Sequence, residues 1–155
     1  MTKFKILQWA LKLFICLYLT GIVCTIYFIY TTSFNPMVPS IYIYHFYASI
    51  ASMLLSASGL YFLQKSCSMF IERSYFNSKS ELYLKRGGII LMASAILGFV
   101  LDFTPKESAS KENLSNVASK IGYNTTLLIM GFAIIAVADI IKKGVNLKRE
   151  NDLTI

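Results

Sequence analysis

This 155-residue sequence predicts an all-α fold, an integral membrane four-helix bundle with short loops and both chain ends on one side. Three observations carry that expectation. Four long apolar stretches are separated by three polar gaps. Hydrophobic residues make up 55% of the chain and charged residues 15%, whereas an ordinary soluble domain has about 25% charged residues. The cations also gather at alternate ends of the stretches. One compact domain fits the length, and four spans use most of the chain.

The first span covers about residues 7–32. Its lead-in sets Lys5, Gln8 and Lys12 on one helical face, with Trp9 at a depth where an indole keeps its N–H hydrated. The stretch is too long for a signal-peptide core, so it is expected to be retained. Pro36 and Pro39 then stop the helix. The second span, about 43–70, opens on the aromatic cluster Tyr42, Tyr44, His45, Phe46 and Tyr47, an interfacial belt. A polar loop follows over about 71–86. Within it Ser78 and Glu81 have capping-box spacing, which predicts that the third helix starts near Ser78. That helix crosses from about 87 to 103 and ends at Pro105. The gap 106–120 is polar, and the fourth span covers about 121–141, leaving a polar tail from 142 to 155.

Orientation follows from Lys and Arg in the short segments. Lys3, Lys5 and Lys12 precede the first span, and Lys65, Arg73, Lys79, Lys85 and Arg86 flank the middle loop. Lys142, Lys143, Lys148 and Arg149 follow the last span. These twelve face three in the other two gaps, Lys106, Lys111 and Lys120. Both termini are therefore expected in the cytoplasm, as an even number of spans requires. The net charge of +7 is read as topology signal and headgroup contact, not as direct nucleic-acid binding.

Lipid tails are as apolar as Leu, so small residues and polar bonds must bring the helices together. Ala48, Ser52, Ser56 and Gly59 form such a face on the second span, with Ser94 and Gly98 on the third and Gly21 and Thr25 on the first. This predicts a compact bundle with the second span central. The odd count of Cys16, Cys24 and Cys67, without paired metal spacing, points to small buried thiols.

Three ionisable residues are candidate polar sites in the membrane: His45, Asp102 and Asp139. His45 and Asp102 both fall near the outer surface, where together they would bind a cation or relay protons; the alternative is two hydrated headgroup-level side chains. Asp139 is four residues from Lys143, the spacing of an ordinary helix ion pair. A contact with Lys12 or Lys65 from another helix is the functional alternative. There is one His, with no HExxH, no GxSxG and no phosphate-gripping glycine loop, and this points away from an enzyme and from any cofactor or metal. Asn124-Thr-Thr126 and Asn113-Leu-Ser115 match glycosylation acceptors, the first of them abutting the bilayer.

Two further segments are distinctive: residues 70–88, with a Phe-x-x-x-Asn/Ser…Leu-x-x-x-Gly approach to the third span, and the ending from Gly144 through Glu150, Asn151 and Asp152 to Ile155. With four spans, they resemble the bacterial family called domain of unknown function twenty-nine seventy-five. The resemblance implies a bacterial plasma-membrane protein, often encoded beside a small helix-turn-helix regulator, and it assigns no catalytic residue. It motivates the first functional expectation, a non-enzymatic regulatory or scaffolding partner. Phe76, Asn77, Glu81, Lys85, Arg86, Glu150, Asn151 and Asp152 would bind a soluble cytoplasmic protein, the tail docking as a short peptide or a sheet-edge strand. Besides that protein, the partners expected are the lipid bilayer and a second copy of the chain. The alternative is a small transporter, channel or immunity-type protein with His45 and Asp102 in an outer vestibule.

Overall fold

A computed structural model describes residues 2–33, 40–72, 78–102 and 114–153, with side chains over 5–31, 46–71, 78–101, 118–151 and at Leu153. The described residues form four α-helices: α1 (Thr2–Ser33), α2 (Ser40–Glu72), α3 (Ser78–Asp102) and α4 (Leu114–Leu153). Each carries a stretch long and apolar enough to cross a bilayer, namely Lys5–Thr31, Phe46–Ile71, Ser78–Leu101 and Ala118–Asn151. The helices are stable in lipid because every backbone N–H and C=O within a span is satisfied inside its own helix.

The α3 helix begins at Ser78, the residue named by the capping-box spacing, with Glu81 in its first turn. The fourth helix is longer than its apolar run predicts. It has 40 residues and so extends about 60 Å, twice the roughly 30 Å hydrocarbon thickness. Its polar end is helical up to Leu153. Residues 145–153 contain no Pro or Gly, and each residue added to an existing helix gains a bond without a new nucleation step. The extended form that a sheet-edge strand needs is not the form of this segment.

Neighbours in sequence are neighbours in space. The α1 helix packs on α2, α2 on α3 and α3 on α4; among the described residues no backbone of α1 comes close to α3 or α4. The expectation of one central span is therefore corrected: α2 and α3 are both inner helices. Leu63, Cys67, Leu84 and Leu91 from this inner pair cluster with Leu11 of α1 and Ala138 of α4. Cys67 is buried, but Cys16 and Cys24 are exposed on α1, so the expectation of buried thiols holds for one of three.

Glycines set the closest approaches. Gly87 and Gly88 are adjacent on α3 and so point about 100° apart. A Cβ on Gly87 would meet Leu63 at 2.8 Å and the Gly59 carbonyl at 3.1 Å, both on α2. On Gly88 it would meet Ile135 at 2.8 Å and the Gly131 carbonyl at 2.9 Å, both on α4. One Gly-Gly pair thus serves two seams. Where no side chain intervenes, backbones approach closely enough to gain dispersion, which in lipid replaces the missing hydrophobic drive.

Candidate functional site

Polar side chains collect at two levels of the bundle. The first is inside the membrane-spanning part and is built from hydroxyls. Ser94 of α3 shares a 2.7 Å hydrogen bond with Ser56 of α2 and lies 3.3 Å from the Ser52 hydroxyl. It also donates to the Ser52 carbonyl at 3.0 Å. Tyr123 of α4 is hydrogen-bonded to Tyr18 of α1 and lies within hydrogen-bonding reach of Ser56. Hydroxyls from all four helices therefore meet in one chain. Beside it Asn124 is only 5% exposed and packs against Gly98, where a Cβ would collide with its amide. That burial removes Asn124 from the surface that a glycosylation acceptor requires.

The Ser52–Ser56 face with Ser94 was visible in the sequence as a small-residue stripe. Tyr18, Tyr123 and Asn124 were not. Tyr18 and Tyr123 stand 105 positions apart, and no local spacing joins them. Thr25, placed with Gly21 on the small face of the first span, donates to the Gly21 carbonyl of its own helix at 2.8 Å. The chain is made of hydroxyls, which are both donors and acceptors but weak acids and weak bases. Its chemistry is interhelical bonding, about 0.6 kcal/mol per contact on average and up to about 1.7.

The second level lies at the end of the bundle that carries both described chain ends. Gln8 of α1 donates to Ser68 of α2 at 2.8 Å, and the buried hydroxyls of Ser66 and Ser80 join α2 to α3 at 3.0 Å. Lys12 lies 5.9 Å from the Trp9 ring centroid, and Lys65 lies 4.8 Å from that of Tyr83, which stacks on Phe62 at 6.1 Å. Asp139 pairs with Lys85 at 3.9 Å. This corrects the expected partner, which was Lys143 within the helix or Lys12 or Lys65 across it. With side chains 43% and 54% exposed, the pair contributes about 0–1 kcal/mol.

The remaining sequence candidates are distributed as follows. His45 lies in α2 and Asp102 ends α3; the two helices run antiparallel, so both backbones are at the end opposite the Lys-rich level, while their side chains lie outside the described residues. Phe76 and Asn77 lie wholly outside them. Glu81 is half-buried on α3 and Arg86 is exposed on the same helix, while Glu150 and Asn151 are exposed on the α4 extension. Asp152 is helical, with its side chain outside the described set. Among the described residues, no three His, Cys, Asp or Glu side chains group as metal ligands would.

Four long apolar helices, packed through glycine seams and bonded by hydroxyls within the apolar zone, define a multi-pass membrane protein. The chain belongs to the family described as Protein of unknown function (DUF2975), whose model matches residues 27–155. The match takes in α2, α3 and α4 and only the last turns of α1. No curated protein and no solved structure matches the chain.

Proposed function

We propose that the protein is a non-enzymatic component of a bacterial plasma membrane, with both termini in the cytoplasm, that binds a soluble regulatory protein through its cytoplasmic end. The observation that carries this reading is the helical extension of α4. Beyond the Lys85–Asp139 level, α4 continues to Leu153, past the start of α3. On this charged segment Leu147 is 61% and Leu153 80% exposed. A protruding helix with exposed apolar side chains among charges offers anchors to a soluble protein, and a few such anchors carry most of the affinity of an interface.

The resemblance suggests a helix-turn-helix regulator as the bound protein, and the twelve-to-three distribution of cations supports the orientation. Two measurements test the reading. Reporter fusions at the two termini should both be active in the cytoplasm. A regulator encoded beside the gene should co-purify with the full chain in mild detergent. Leu147→Ser and Leu153→Ser should each weaken that association about ten- to hundredfold, the loss of one apolar anchor worth about 1.5–3 kcal/mol. Full retention in the double variant, with the protein still inserted, would remove the docking role from α4.

A further inference from the structure

The outer edge of the α2–α3 seam, turned away from α4, carries a cationic and aromatic group. Lys65 of α2 lies 4.8 Å from the Tyr83 ring centroid of α3, and Phe62 of α2 stacks on the same ring. Arg86 is exposed one turn along α3 from Tyr83. The described acids of the neighbourhood are elsewhere. Glu81 shares the face of Lys85 and Gly88, which is turned to α4, and Asp139 is held by Lys85. The face is therefore cationic at one level, and that level is the edge of the apolar zone.

On the membrane side of the cations the same face becomes apolar. Leu54 of α2, in line with Lys65, and Val100 of α3, in line with Arg86, are both exposed. A cationic and aromatic rim joined to an apolar strip matches a molecule with an anionic head and hydrocarbon tails. Arg offers a planar fork to phosphate oxygens. Lys65 lays its stem along the protein and keeps its ammonium at the interface, and Tyr is suited to the same boundary. Basic pockets between helices at a membrane edge take anionic headgroups on these grounds.

We propose that Lys65, Tyr83 and Arg86 seat the headgroup of one anionic phospholipid, whose acyl chains lie along the outer α2–α3 groove. The site is independent of the docking role of α4, since it requires only that the bundle stand in a bilayer. Native mass spectrometry of the full chain in dilute detergent, titrated with phosphatidylglycerol or with phosphatidylcholine of the same chains, provides the test. One phosphatidylglycerol should be retained in preference to phosphatidylcholine. Lys65→Gln and Arg86→Gln should each weaken it about fivefold, the equivalent of about 1 kcal/mol per cation, and the pair Lys65→Arg with Arg86→Lys should retain it. Lys142→Gln with Lys143→Gln removes two charges from α4 and should leave retention unchanged. Equal retention of the two lipids, or equal weakening by the α4 pair, would overturn the site.

Discussion

The α3–α4 seam and the α1–α2 seam both join long apolar helices, but by different means. At the first, backbone meets backbone: a Cβ on Gly88 would stand 2.9 Å from the Gly131 carbonyl, and one on Gly131 would stand 2.9 Å from the Gly88 carbonyl. At the second, side chains keep the helices apart. Gly21 has only the Met53 thioether near it, at 3.8 Å. The contact is completed by side-chain tips, Gln8 on Ser68 and Phe28 against Phe46 at 5.1 Å between ring centroids. Because lipid solvates apolar side chains as well as a neighbouring helix does, the backbone seam is the one that resists separation. The α1 helix is then the element most easily detached from the bundle.

The sharpest way to break this contrast is to add one methyl at each seam. Gly88→Ala forces carbon against a carbonyl and Ile135, and should lower stability in detergent by about 1–3 kcal/mol. Gly21→Ala meets only a flexible methionine and should change stability by less than about 0.5 kcal/mol. Equal effects on the unfolding midpoint would show that the seams do not differ.

A smaller effect is expected from the hydroxyl chain. Ser94→Ala removes the group that Ser52 and Ser56 share, and should cost about 0.6–1.7 kcal/mol. Combined with Ser56→Ala, the loss should be less than the sum of the two single changes, because both remove the same bond. Strict additivity would place the stabilisation elsewhere.

The smallest effect sharpens the reading of α1. Tyr18→Phe deletes the bond to Tyr123 and should increase opening of α1 about threefold, as expected for a contact of about 0.6 kcal/mol. Cys67 reports on this, because it clusters with Leu11 of α1. With Cys16 and Cys24 replaced by Ser, its labelling by a thiol reagent should accelerate in Tyr18→Phe and stay unchanged in Gly21→Ala. An unaltered rate in Tyr18→Phe would mean that the tyrosine pair does not hold α1.

Part of the candidate site was readable from the chain and part was not. Ser52, Ser56 and Ser94 stood out because a residue able to bond across helices is conspicuous in an apolar run. The Asp139 partner was misassigned because sequence shows only neighbours along the helix, and Lys143 is four residues away. Lys85 reaches Asp139 through the register of α3 against α4, which Gly88 and Gly131 set. The helical ending of α4 was missed for a related reason: polarity was taken to end the helix, although it ends only the apolar span.

By itself, the order of residues determined the number of spans, their approximate limits and the level at which cations collect. Each follows from how individual residues partition between water and lipid, a property that needs no neighbour from elsewhere in the chain. The tertiary structure alone decided that α2 and α3 are the inner pair, that Gly87 and Gly88 serve opposite seams, and that Tyr18 meets Tyr123. Those outcomes depend on rotation and depth of one helix against another, and helices that lipid solvates equally well on every side acquire both only through contact.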